Sequence, residues 1–165
     1  MAQNWLGYAE GDNMIYTKSD KRSVHASQQR IEESVLLAME YFANNGATPI
    51  IIKSAPGNEV NQKGCFYQHI RERRSMRTDE CSIHTQNELK NSAKVFIDQL
   101  FEKIAQRYPD TVFIDPRLIQ CKEGVCFTSI DGIPMYEDQE HLNNYASRWL
   151  AQKYLETYGN PLKTK

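Results

Sequence analysis

No run of apolar residues in the 165-residue chain is long enough to span a bilayer. The longest, Ala47 to Ile52, carries Thr48 and Pro49 inside it and falls far short of about 20 residues. An excess of either charge is also missing. Twenty basic against twenty-one acidic residues leave a formal charge of −1, which argues against a dedicated nucleic-acid binder. Met1-Ala2-Gln3-Asn4-Trp5 shows no charged segment followed by an apolar one, so no secretory leader is read there. Glycine-rich phosphate loops of the G-x-G-x-x-G or Walker type are lacking, and so is a G-x-S-x-G nucleophile elbow. Internal repeats and low-complexity segments are lacking too. What remains is an ordinary globular composition, 40% hydrophobic and 10% aromatic, with length enough for one domain with its own core.

Four cysteines fall as two neighbouring pairs, Cys65 with Cys81 and Cys121 with Cys126. Each pair brackets a polar or glycine-containing stretch that a local disulfide would close. Zinc is the rival reading, because Cys65, His69, Cys81 and His84 supply two thiols and two imidazoles in a workable order. Four reduced thiols are the third. The arginines between the pairs (Arg71, Arg73, Arg74, Arg77) would crowd a cation, so disulfides and an oxidising compartment are preferred, with no metal.

Hydrophobic periodicity gives the order of elements. Trp5, Leu6 and Tyr8 read as the end of an apolar strand, followed by loop to His25. A helix capped by Ser27 follows, burying Ile31, Val35, Leu36, Met39 and Phe42, and Gly46 stops it. Thr48 to Ser54 has the β-branched composition of a buried parallel strand. Ala55 to His84 is aperiodic and reads as a long loop with room for one helical turn. A second helix, Gln86 to Tyr108, buries Leu89, Val95, Phe96, Leu100 and Ile104, and Thr111 to Asp115 forms a second buried strand. Val125 to Ile130 and Ile133 to Tyr136 flank Asp131-Gly132, a strong hairpin signal. A last helix, Asn143 to Tyr158, buries Tyr145, Trp149 and Leu150. Helix, strand, helix, strand, hairpin, helix is a doubly wound α/β pattern, with the Thr48 and Thr111 strands parallel, either as neighbours or separated by the strand at Asn4 to Tyr8. It is short of strands, and the reading is one domain over 1–165 whose first strands lie upstream.

Chemistry concentrates at Asp138-Gln139-Glu140-His141, ahead of the last helix. An Asp-x-x-His turn lets the carboxylate hold imidazole Nδ1 and leaves Nε2 to take a proton from a hydroxyl nucleophile. The plain alternative is a helix-start aspartate beside a surface histidine. The arginines from Arg71 to Arg77 could face an anionic glycan, although Glu72, Asp79 and Glu80 balance them as in a solvated loop.

Ile114-Asp115-Pro116, Cys121, Cys126, Asp131-Gly132, Pro134 to Asp138 and His141-Leu142-Asn143 come in an order that resembles the C-terminal part of SGNH hydrolase-like domains. More narrowly, the chain resembles the periplasmic SGNH domain fused behind acyltransferase-3 membrane proteins, which O-acetylate bacterial surface polysaccharides such as lipopolysaccharide. The resemblance implies a flavodoxin-like SGNH sheet, with Ala2 to Trp5 and Tyr8 in a middle strand and the four cysteines at the family's two pairs. It makes Asp138 the carboxylate and His141 the base of a Ser-His-Asp triad, with Asn4 as an oxyanion donor. Tyr136, beside the pair, becomes a substrate contact. No Gly-Asp-Ser occurs, and Gly11-Asp12-Asn13 has Asn where the nucleophile belongs, so the serine is expected from residues outside this chain. The implied partners are an acyl donor, a surface polysaccharide and a membrane acyltransferase domain upstream in cis, with no cofactor and no nucleic acid. An esterase, and a non-catalytic glycan-binding or assembly module with a relic pair, are the alternatives.

Overall fold

Ser23, not Ser27, starts the first long helix in the computed structural model of the chain. The structure describes residues 5–10, 13–57, 62–74, 81–85, 92–138 and 141–163. They divide into two compact units, Met1–Lys53 with Asn87–Ile114, and Ser54–Gln86 with Asp115–Lys165.

In the first unit, Trp5–Ala9 is a short helix, α1, where the sequence reading expects a strand. Trp5 and Ala9 lie one turn apart and are both buried, at 4% and 0% exposure, so a helical step serves this segment better than alternation. Helix α2, Val24–Asn44, is capped by the Ser23 hydroxyl, which accepts from the Ala26 amide at 3.1 Å. Ser27 does a different job. It is fully buried, donates to the Tyr8 carbonyl at 2.8 Å and accepts from the Ile15 amide at 2.8 Å, tying α1 and the following loop to α2. Beyond the helix Gly46 takes φ +66°, where a side chain would be strained.

Strand β1 (Ile50–Ile52) leads, through the second unit's first segment, to helix α4 (Ser92–Arg107) and strand β3 (Val112–Ile114). β1 and β3 pair in parallel, Ile51 opposite Phe113, as the β-branched runs predict. Helix α4 is rotated from the expected face. Ala93, Ile97, Leu100, Phe101 and Ile104 are buried, Val95 is exposed and Phe96 only partly covered, while Leu89 lies outside the described residues. The 93-97-100-104 spacing keeps one stripe inward, with Phe101 widening it, and Val95 falls on the opposite side. Trp5 stacks edge-on against Phe101 with ring centroids 5.3 Å apart and donates its indole N–H to the Ile52 carbonyl at 3.3 Å.

In the second unit the stretch read as a loop holds helix α3, Gln62–Arg71, which buries Phe66 and His69, and strand β2, Ile83–His84. Strands β4 (Cys121–Lys122) and β5 (Val125–Cys126) form an antiparallel sheet with β2 in the order β2-β5-β4. Strands β6 (Ser129–Ile130) and β7 (Ile133–Pro134) form the hairpin signalled by Asp131-Gly132. Both hairpin turns take positive φ at two successive residues, Glu123-Gly124 and Asp131-Gly132, as type I′ turns require. The expected strand Val125 to Ile130 therefore breaks in two. A one-turn helix, α5 (Arg117–Gln120), precedes β4, and helix α6 (Asn144–Tyr158) closes the chain. Ala146 and Leu150 of α6 are buried with Ile83, Cys126, Ile130, Met135 and Tyr136. Trp149 is partly buried, edge-on to Phe127 at 5.8 Å, and Tyr145 is exposed rather than buried.

Candidate active site

The site grows out of the chain reversal between β7 and α6. Tyr136 bridges Leu142 antiparallel, the Glu137 amide donates to the His141 carbonyl at 2.8 Å, and the Asn143 amide donates to Met135 at 2.8 Å. These backbone bonds close a loop with Asp138 and His141 on it. Asp138 Oδ1 accepts from the His141 backbone N–H at 2.7 Å, and Oδ2 lies 2.6 Å from His141 Nδ1. One carboxylate thus holds the residue's main chain and its ring together. An ionised carboxylate can only accept, so in the neutral imidazole the proton sits on Nδ1 and Nε2 is the basic nitrogen. The side chains are 70% and 53% exposed, where such a pair contributes about 0.2–1 kcal/mol to stability. Its larger consequence is a fixed tautomer on an accessible ring.

Tyr136 is placed differently from the sequence expectation. It is 2% exposed, its hydroxyl donates to the Pro56 carbonyl at 2.5 Å and accepts from Gln120 Nε2 at 2.7 Å. With the ring in the core and the hydroxyl engaged twice, Tyr136 anchors the loop from beneath and is not a substrate contact in this structure. Gln120, fully buried, also donates to the Phe127 carbonyl at 2.9 Å. Nothing in the sequence signals it, because a lone Gln closing a one-turn helix has no periodic pattern.

Asn4, the candidate oxyanion donor, lies outside the described residues, as do Gly11, Asp12 and Arg77. Arg71, Arg73 and Arg74 are exposed, and Arg74 pairs with Glu72 at 2.5 Å. Hydrogen bonds from Gln68 and then Arg74 hold the Glu72 carboxyl below its usual range. That is a solvated, self-balanced turn.

All four cysteines are oxidised, Cys65 to Cys81 and Cys121 to Cys126. None can serve as a thiolate ligand, so the zinc alternative fails. His69 instead sits buried with Nδ1 2.9 Å from the Cys65 carbonyl, and His84 is exposed on β2. Among the described residues, no three potential metal-ligating side chains converge.

A mixed α/β chain that presents a carboxylate-oriented histidine ahead of its last helix defines the class. The chain matches the model of the SGNH domain (fused to AT3 domains) over residues 1–156, and it belongs to that family. No curated protein and no solved structure matches it. Among the described residues, no helix is long and apolar enough to cross a membrane.

Proposed function

We propose that Asp138 and His141 are the carboxylate and the base of a Ser-His-Asp triad in an SGNH-type O-acyltransferase that O-acetylates a bacterial cell-surface polysaccharide. The observation that carries the reading is the double grip of Asp138 on His141, at 2.7 Å on the backbone N–H and 2.6 Å at Nδ1. The serine comes from a segment outside this sequence, which contains no Gly-Asp-Ser.

In the first half-reaction the serine hydroxyl attacks the carbonyl of the acyl donor while His141 Nε2 takes its proton. The resulting imidazolium, stabilised by Asp138, returns the proton to the leaving group and an acyl-serine remains. A sugar hydroxyl then attacks the acyl-serine, passing its proton through Nε2 back to the serine. With water in place of the sugar, the same steps give an esterase. The chemistry calls for no cofactor. The partners are an acyl donor, the polysaccharide and a membrane acyltransferase domain upstream in the same polypeptide. Two disulfides favour the periplasmic side of the membrane, where such bonds persist.

Acyl transfer by the full-length protein tests the assignment. His141→Ala should remove nearly all activity, and Asp138→Asn should lower the rate on the order of 10⁴-fold by presenting the wrong tautomer. A fully active His141→Ala protein refutes the triad. Glycan binding retained without measurable transfer by the unaltered protein points to the non-catalytic module.

A further inference from the structure

The loop bearing Asp138 and His141 runs between β7 and α6, and one side chain touches both of these elements. Asn143 Nδ2 donates to the Pro134 carbonyl at 2.6 Å, while Oδ1 accepts from the Ala146 amide at 2.8 Å. The amide orientation is unambiguous, because a carbonyl needs a donor and an N–H needs an acceptor. The backbone of Asn143 adds a third tie, its N–H to Met135.

A helix N-cap needs only the acceptor oxygen. Ser and Asp cap about as well as Asn, so capping alone leaves the amide nitrogen unused. Here that nitrogen reaches back across the loop to the end of β7. With side chains as exposed as those of His141 and Asp138, packing offers little hold on their geometry. The spacing of the two loop ends therefore governs whether the carboxylate meets Nδ1.

We propose that Asn143 is a positioning residue that holds Asp138 and His141 in hydrogen-bonding register by clamping the end of β7 to the first turn of α6. Its use in catalysis rests on the triad reading above, whereas the geometric effect can be read without it. Asn143→Ser keeps an N-cap and loses the reach to Pro134. Asn143→Asp keeps both the cap and the shape and cannot donate.

The experiment is ¹⁵N NMR of histidine-labelled chain at a pH where the imidazole is neutral, reading the ratio of Nδ1–H to Nε2–H tautomer at His141. Asp138→Asn, whose amide can donate to Nδ1, sets the value for a ring held in the opposite tautomer. Asn143→Ser should lower the ratio roughly fivefold, the amount that one hydrogen bond of ordinary strength supports. It should do so with a thermal midpoint close to the parent's, and Asn143→Asp should move the ratio the same way. A ratio unchanged in both Asn143 variants while Asp138→Asn lowers it overturns the proposal. So does an unchanged ratio in Asp138→Asn itself, since no held tautomer would then exist. An active full-length His141→Ala protein would refute the triad alone, leaving the tautomer ratio to decide the clamp. In an active full-length protein, Asn143→Ser should reduce kcat with KM unchanged.

Discussion

Tyr136→Phe removes one oxygen from the middle of the second unit and leaves the ring where it is. Two buried groups lose their partner, the carbonyl of Pro56, itself under 2% exposed, and one amide proton of the fully buried Gln120. Each unsatisfied buried group costs about 1–3 kcal/mol, and relaxation of the Gln120 amide recovers part of that. The expected net loss is therefore about 2–4 kcal/mol. For a chain of this length that corresponds to a fall of roughly 5–15 °C in the unfolding midpoint. The ring stays buried, so no cavity cost of the Leu→Ala kind adds to this. The two tryptophans fall in different units, Trp5 in the first and Trp149 in the second. Urea unfolding followed by ¹⁹F NMR of 5-fluorotryptophan-labelled chain therefore reads each unit through its own signal. The Trp149 transition should move to lower urea with its steepness kept. A shift worth less than about 0.5 kcal/mol, the scale of an ordinary surface substitution, would refute the claim that this hydroxyl is a buried anchor.

The disulfides and the acid limb of stability offer two further tests. The Cys65→Ser/Cys81→Ser double variant should lose about 3 kcal/mol on the chain-entropy account of a loop this long, with urea midpoints as the measure. An unchanged midpoint would show that the crosslink constrains nothing in the unfolded chain. At Asp20, hydrogen bonds from Arg30 first and the Thr17 amide next hold the carboxyl far below its ordinary 3.8. A depressed folded-state value means the stabilisation is complete above roughly pH 5 and is lost as the pH falls through the folded value. Asp20→Asn should therefore have a flatter stability profile between pH 5 and 2, and parallel profiles would contradict the pairing.

Local chemistry was legible in the sequence, and burial by distant partners was not. An Asp-x-x-His turn needs no tertiary information to bring its two side chains together, so Asp138 and His141 could be named from four residues. The Asp131-Gly132 turn and the β-branched runs at β1 and β3 are likewise self-announcing. Glu123-Gly124 makes the same turn with a residue that rarely adopts positive φ, so no Asn-Gly or Asp-Gly signal marks it. Tyr136 reads from sequence as a surface contact because it adjoins the Asp-x-x-His turn, whereas its hydroxyl answers to Pro56, 80 residues earlier. Ser27 is a parallel case. As a cap it would have served its own helix, but Tyr8 and Ile15 claim its hydroxyl. The face of α4 turned on where Trp5 sits, a contact that no window along α4 contains.

Neither unit is a continuous piece of chain, and this bears on the order in which the protein can be made. Strand β1 leaves the ribosome long before its partner, since Ile51 pairs with Phe113 and about sixty residues must be added between them. At 5–20 residues per second that interval lasts on the order of 3–12 s. Throughout it the edge of Ile50-Ile51-Ile52 that pairs with β3 lacks that partner, while α1 and α2, both already synthesised, can begin to cover its side chains. The nascent chain is thus most open to wrong pairing during a defined window that closes when Val112 to Ile114 emerge. Slowing translation between residues 53 and 112 should raise aggregation, and the same slowing after residue 114 should not.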